Sequence, residues 1–499
     1  MSLFNKNILS VQNAPCGLGV LLLLLLLGLG CAEITERGAF RESHTTASLN
    51  ILFVSVDDLR PELGCYGSDV AKTPHLDAFA KNAFVFDRAV CAVPVCGASR
   101  ASLMTGLRPN SERFRTFSAR ADEDAPNVPT LPAWLKSKGY TTLSNGKIFH
   151  KNNDSQDGWS ESPWRPERNF RDYQNPENIA AVAAGFHGPS TERGLPFAVY
   201  ADDLTLAKSL VDLDRLSRSE LPFFLGVGFF KPHLPFCAPE PFWDLHDPDA
   251  IGLATNRHAP CNAPADAMHS YGELRAYDDI PIDVHQDVPD SMQLLLRHGY
   301  QACVSHVDDL FGQLIAKLQD CGLADNTIVV VWGDHGWQLG EHNLWAKHCN
   351  FQTSLKVPLL IRMPGQTVGR RVSTMTELTD LYPTLCAMVG VPLPGHLQGT
   401  DLRPRMNDAV NTSGRVTFSK FHGGETITTE AFSYTEFRHR KTHEFRGSML
   451  FDLQLDPQEN FNVTDDPAYA LVKAKLAGQL DSLHQISCET NPGVQQTRD

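Results

Sequence analysis

Asn50-Ile51-Leu52-Phe53-Val54-Ser55-Val56-Asp57-Asp58 is a short β-prone run, almost wholly apolar, that stops on two carboxylates. A run without polar alternation has the composition of a strand buried on both faces of a parallel sheet. In open α/β sheets, ligands bind beyond the carboxyl ends of the strands. Two adjacent carboxylates at such an end are placed to hold a divalent cation, and hard cations such as Ca²⁺ prefer oxygen ligands.

The same arrangement recurs along the chain. Tyr140 to Ser144 reads as a strand that ends in Asn145-Gly146-Lys147-Ile148-Phe149-His150, so a lysine and a histidine emerge at its carboxyl end. Lys147 offers a point charge for an anion, and His150 a group that moves protons near neutral pH. Phe223 to Phe230 delivers Lys231-Pro232-His233-Leu234-Pro235-Phe236, where two prolines restrict the backbone around His233. A histidine held there is suited to protonating a leaving hydroxyl. Thr327 to Trp332 ends at Gly333-Asp334-His335-Gly336, a second strand end with oxygen and nitrogen ligands, and Val357 to Arg362 is a further apolar strand. Helices are predicted between these strands. One starts at Thr73-Pro74 with Leu76 and Phe79 on its apolar face, one covers Thr130 to Lys138, and one covers Leu294 to Leu318 with Tyr300, Val304, Val307, Phe311 and Leu314 on one side. Strands alternating with helices give an α/β chain. Residues 237–290 are rich in Pro and His with little periodicity, and read as loops around the rim of a site.

Val95-Cys96-Gly97-Ala98-Ser99-Arg100-Ala101-Ser102-Leu103-Met104-Thr105-Gly106 places a thiol at the start of a helix. Unsatisfied N–H groups and the positive end of the helix dipole favour an anion there. Arg100, one turn on, is expected to point back toward the same spot.

The 499 residues, 42% of them hydrophobic, allow a large core and a second, smaller domain. A net charge of -14 argues against nucleic acid or an anionic membrane surface as the main partner. If the substrate is an anion, its site must be locally positive. Lys6, the apolar run Val20 to Leu27 and Gly28-Leu29-Gly30-Cys31-Ala32 have the anatomy of a signal peptide over residues 1–32, and Cys31 resembles a lipobox cysteine that would carry a lipid anchor. Export is the expectation, with no transmembrane segment. Such a compartment favours disulfides among the 12 cysteines. Setting aside Cys16, Cys31 and Cys96 leaves an odd number, so at least one thiol stays free, and no CxxC pair for zinc is present.

Asp57-Asp58, Cys-Gly-Ala-Ser-Arg with Thr105-Gly106-Leu107-Arg108-Pro109, Gly-Lys-Ile-Phe-His, Lys-Pro-His-Leu-Pro-Phe, and Gly-Asp-His-Gly-Trp-Gln-Leu-Gly-Glu-His followed by Trp345-Ala346-Lys347 together resemble the iduronate 2-sulfatase-like branch of the type I, formylglycine-dependent sulfatases. The commoner form of the cysteine signature has Pro where this chain has Ala98. The similarity runs from about residue 49 to about residue 470, and Phe451-Asp452-Leu453 with Asp456-Pro457 resembles the hairpin of the family's small C-terminal domain.

The resemblance implies an alkaline-phosphatase-like α/β sandwich with a central, mostly parallel sheet over residues 47–405, and a small α+β domain with an antiparallel sheet over 406–499. It implies one Ca²⁺ held by Asp57, Asp58, Asp334 and His335, with Cys96, oxidised to formylglycine by a maturation enzyme, completing the shell. Arg100, Lys147 and Lys347 would neutralise the sulfate. His150 would deprotonate the aldehyde hydrate, and His233 would protonate the departing sugar oxygen. The implied substrate is a sulfated saccharide, iduronate 2-sulfate or an algal or other sulfated polysaccharide. The implied location is periplasmic, envelope-associated or secreted in a bacterium and lysosomal or secreted in a eukaryote. A phosphatase or phosphonate hydrolase on the same scaffold, and an inactive carbohydrate-binding relative, are the alternatives.

Overall fold

The computed structural model describes residues 48–168, 170–406 and 414–488, so the leader over 1–32, with Cys31, lies outside the described residues. Asn50–Val56 forms a strand with every residue buried. It lies inside a seven-stranded sheet in the order Arg370–Val372, Phe84–Phe86, Leu359–Arg362, Thr327–Gly333, Asn50–Val56, Phe223–Phe229, Thr141–Gly146. Every strand of this sheet except Leu359–Arg362 runs in the same direction.

Alternation along the central strand explains the layers. Leu52, Val54 and Val56 face a core that includes Tyr300, Val304 and Leu314 of the Asp290–Asp320 helix and Leu206 and Leu213 of the Ala201–Leu216 helix. Ile51 and Phe53 face the opposite core, which holds Ala98, Leu103 and Met104 of the Cys96–Thr105 helix and Leu381 and Leu385 of the Leu381–Met388 helix. Burying these five strand side chains removes apolar surface worth on the order of 10 kcal/mol, before the entropy of chain ordering is set against it.

Register then aligns the strand ends. Val56 pairs with Gly333 on one side and Phe229 on the other, and Gly146 pairs with Gly228. The residues that follow, Asp57, Asp334, Phe230 and Lys147, therefore leave the sheet along one edge.

A second sheet runs Thr417–Phe421, Gly424–Thr428, Phe432–Arg438, Phe445–Asp452, each strand antiparallel to the next. The Ala470–Cys488 helix covers it, with Leu476 and Leu480 packed on Phe418, Ile427, Tyr434 and Leu450. This sheet braces the approach to Cys96: the Lys420 N–H donates to the Ala92 carbonyl at 2.8 Å and the Ser419 hydroxyl to the Cys91 carbonyl at 2.6 Å. Among the described residues, no helix is long and apolar enough to cross a membrane.

Two expectations need correction. The stretch 237–290 is less irregular than its composition suggests, because Phe236–Pro239 pairs with Thr191–Gly194 and Glu240–Asp244 is helical. That strand pairing is non-local and leaves no periodic trace. The disulfides are also missing, since every described cysteine is free. Cys91 and Cys386 are buried in one core, Cys303 in another and Cys349 in a third, where they pack as small apolar side chains.

Gly228 shows how tightly the edge is built. A Cβ there would stand 2.3 Å from the Lys147 carbonyl carbon, at the point where the Lys147 N–H donates to the Gly228 carbonyl at 2.8 Å. Gly228→Ala should therefore destabilise by about 1–3 kcal/mol in chemical denaturation, while Gly252→Ala, with no atom in the way, should be close to neutral. Equal midpoints for the two variants would contradict this account of the edge.

Candidate active site

Asp57 and Asp58 leave the central strand fully buried. Asp58 holds a left-handed backbone, φ 59°, unusual for a residue with a side chain. Its N–H donates to Asp334 Oδ1 at 3.0 Å, and its carbonyl accepts from the Tyr300 hydroxyl at 2.9 Å. Surroundings that determine so strained a residue this firmly are typical of a site under constraint.

Cys96 is the first residue of its helix and is buried. Its Sγ lies 3.3 Å from His335 Nε2 and 4.0 Å from Asp58 Oδ1. Gly97 admits the neighbouring chain, because a Cβ there would meet the Phe117 carbonyl at 1.9 Å. Ala98 occupies the third helical position, where a backbone N–H has no acceptor within the helix, so alanine and proline serve equally well there. Burial first, and then the Asp57 carboxylate, push the Cys96 thiol up to about 12. An unmodified thiolate is thus disfavoured.

Arg100 is fully buried and reaches the cluster around Cys96, as the helix spacing suggested, by way of its carboxylates. Its Nε donates to Asp334 Oδ2 at 2.9 Å, its Nη2 to Asp57 Oδ1 at 3.0 Å, and its Nη1 to Ser55 Oγ at 3.2 Å and the Ile148 carbonyl at 3.1 Å. It thereby ties the ends of three strands together. Lys147 Nζ donates to Asp57 Oδ2. Lys347, between Ala346 and His348, both with positive φ, donates to both oxygens of Asp58 at 3.1 Å. Burial alone would raise the Asp57 carboxyl, but Lys147 and Arg100 hold it well below the usual range. Burial raises Asp58 well above that range, with Lys347 opposing and Asp57 adding to the rise.

The three carboxylates fit a hard cation. Ligand atoms of Asp57, Cys96, Asp334 and His335 lie within 4.8 Å of one another, as do those of Asp57, Asp58, Cys96 and His233. His335 Nδ1 is 2.9 Å from the Gly336 carbonyl, which leaves Nε2 facing the cluster, 3.3 Å from Asp58 Oδ1. Three crowded, buried carboxylates, whose charged partners are two lysines and one arginine, suit a hard, oxygen-preferring cation, and the His335 nitrogen is the softer outlier in the set.

The two histidines differ. Burial, then Lys147, drive His150 down to about 2, and its buried Nδ1 has no hydrogen-bond partner. His233 Nδ1 lies 2.7 Å from the Leu234 carbonyl, so that nitrogen carries a proton and Nε2 faces Glu273 Oε1 at 3.3 Å and Asp58 Oδ2 at 4.0 Å. Burial first, then Lys347 and Lys147, hold His233 well below an ordinary histidine. Asp202 fixes the start of the His233 loop by accepting from the N–H groups of Phe230 and Lys231 at 2.7 and 2.8 Å.

All the residues singled out in the sequence thus meet at one sheet edge. Sequence reasoning missed Glu273, which accepts from Lys347 Nζ at 2.9 Å. It lies in the aperiodic stretch 237–290, where nothing in the spacing marks it. Ser55 and Tyr300 were missed as site residues too, each being one more residue on a strand or helix face.

The protein-family model described as "Sulfatase" matches residues 49–391, and a second, "N-sulphoglucosamine sulphohydrolase, C-terminal", matches 340–486. The iduronate 2-sulfatase of Mus musculus is 34% identical over 409 residues, 74% of this chain and 73% of the relative. That of Homo sapiens is 32% identical over 417 residues, 76% of this chain and 75% of the relative. Among solved structures, the phosphonate monoester hydrolase of Agrobacterium radiobacter has a TM-score of 0.70 at 23% identity, covering 89% of this chain and 97% of its own, a likeness of fold alone. By the family model over residues 49–391 and the two relatives above 30% identity, and with its alkaline-phosphatase-like sheet, the chain belongs to the sulfatase family and is a sulfuric ester hydrolase.

Proposed function

We propose that the chain removes the 2-sulfate of iduronate units in a sulfated saccharide, using formylglycine made from Cys96 by a maturation enzyme, and one Ca²⁺. The observation that carries this reading is the convergence of Asp57, Asp58 and Asp334 on a buried Cys96 at the start of a helix. The choice of sugar rests on the iduronate 2-sulfatase relatives and on the motifs shared with that branch.

Asp57, Asp58, Asp334 and His335 would hold the cation, with residue 96 beside it. When bound, Ca²⁺ supplies positive charge to a sulfate oxygen. As an aldehyde hydrate, residue 96 offers two hydroxyls, one to attack sulfur and one whose deprotonation expels sulfate. The side chains divide the remaining work. Arg100 positions Asp57 and Asp334, because its guanidinium is already engaged by them. Lys147, on Asp57, and Lys347, on Asp58, bring positive charge to the cluster and take sulfate oxygens. His150, whose buried Nδ1 has no hydrogen-bond partner among the described residues, is the base of the second step. His233 supplies the proton to the sugar oxygen in the first. A bound sulfate offsets the two lysines that hold its pKa down, so the ring is best able to carry that proton when substrate is present.

The test of the substrate is turnover of a panel of defined sulfated saccharides, with 2-sulfated iduronate preferred; a preference for another position or sugar would overturn the reading. Chelation should abolish activity and Ca²⁺ restore it, and Asp57→Ala and Asp334→Ala should each lose the ion. Either variant remaining metal-replete and active would show that the two strand ends do not share one ion. His150→Ala should release a burst of desulfated sugar and then slow by about 10²–10⁴-fold. His233→Ala should slow the first step, most of all for poor leaving groups. Pre-steady-state product release decides between them, and a burst from His233→Ala with none from His150→Ala would reverse the roles.

A further inference from the structure

Residues 438–446, Arg-His-Arg-Lys-Thr-His-Glu-Phe-Arg, carry four lysines and arginines against one glutamate in a chain of net charge -14. They form the exposed turn between the Phe432–Arg438 and Phe445–Asp452 strands. Sheet register sets this turn beside the one at His422-Gly423: the Arg438 N–H donates to the Gly423 carbonyl at 2.8 Å, and Arg440 Nη1 lies 3.3 Å from His422 Nδ1. Arg438 is balanced by Glu436 and Arg446 by Asp266. Arg440, Lys441 and, across the groove, Arg115 have no carboxylate partner among the described residues.

The groove they line has a volume of about 930 Å³. It runs on into a second of about 500 Å³ that shares His422 and Arg440 and reaches His269 and His348. A row of rings follows this path. His269 and His348 are 5.9 Å apart, His348 and Phe421 5.8 Å, and Phe421 and His422 4.1 Å. At its inner end, His348 Nε2 lies 3.8 Å from Glu273, whose other oxygen accepts from Lys347, the lysine on Asp58. Side-chain contacts through His348 and Glu273 thus link the inner end of the groove to the hydrolytic edge.

Unpaired cations in a groove partly lined by rings suit a chain of sugars that carries anions, since sugar C–H groups pack on rings while sulfates and carboxylates take arginine. The strongly negative remainder of the surface works against a long, evenly charged polyanion such as nucleic acid. We propose that this groove binds a second anionic group, a sulfate or a carboxylate on a sugar unit neighbouring the one being desulfated, so that the enzyme favours short anionic oligosaccharides over single sugars. The inference rests on the reading of the substrate as a sulfated saccharide.

The test compares wild type with R440E/K441E on size-defined heparin oligosaccharides, from di- to hexasaccharide, ending in a 2-sulfated uronate. KM should fall with length for wild type. The double variant should raise the hexasaccharide KM roughly tenfold at low salt, flatten the length dependence and weaken its salt dependence, because two charges are reversed. K138E, a charge reversal at a remote helix end, should keep the wild-type ladder. Carboxyl-reduced oligosaccharides, and ones desulfated beyond the terminal unit, show which anion is read. A KM ladder for R440E/K441E that superimposes on wild type would overturn the proposal. If wild type cleaves an aryl sulfate but none of the saccharides, the substrate reading fails, and the ladder is then run as inhibitors of aryl sulfate hydrolysis. Inhibition that grows with length and requires Arg440 and Lys441 upholds the groove; inhibition indifferent to them, or matched by a DNA oligonucleotide of equal charge, refutes it.

Discussion

Asp57 is the point on which the structure depends. Its carboxylate is wholly buried, and one oxygen receives Arg100 and the other Lys147. Arg100 also binds Asp334, so a single guanidinium joins the central strand, the Thr327–Gly333 strand and the helix that begins at Cys96. An unpaired charge in such surroundings costs several kcal/mol. The carboxylates, cations and helix therefore have to assemble together or not at all, and the sheet register that brings Val56 opposite Gly333 and Phe229 makes the assembly possible.

That network also divides labour between neighbours of identical chemistry. Asp57 is held low by two cations, while Asp58, one residue on, is pushed up by burial with Lys347 as its main counterweight. Two carboxylates so differently poised, with Asp334 nearby, form a site that further positive charge stabilises. Burial, reinforced by Lys147 at His150 and by Lys347 and Lys147 at His233, keeps both rings below an ordinary histidine. Site electrostatics and substrate charge are coupled: what relieves the lysines is the group the enzyme acts upon.

Much of this was legible in the sequence because strands in an α/β sheet announce their ends. Asp57-Asp58, Lys147, His233 and Asp334-His335 each follow an apolar run, and each lies at the sheet edge. An apolar run carries no direction, so the reversal of Leu359–Arg362 was not legible. Helical spacing places Arg100 one turn from Cys96, and its side chain does reach that cluster, but its carboxylate partners Asp57 and Asp334 come from two strand ends that spacing does not identify. Glu273 is out of reach of pattern reading, because its place beside Lys347 and His233 is set by the tertiary path of an irregular segment. The basic 438–446 turn went unread in the sequence, because what sets it apart is the His422 turn that the sheet places next to it.

The central claim is that residue 96 works as an aldehyde within this cluster, and peptide mass spectrometry of the active protein tests it most directly. The account predicts that the peptide containing Cys96 is lighter by the difference between CH₂SH and CHO, and that specific activity rises in proportion to the converted fraction across preparations. Full activity in a preparation whose residue 96 is wholly the unmodified thiol would contradict it.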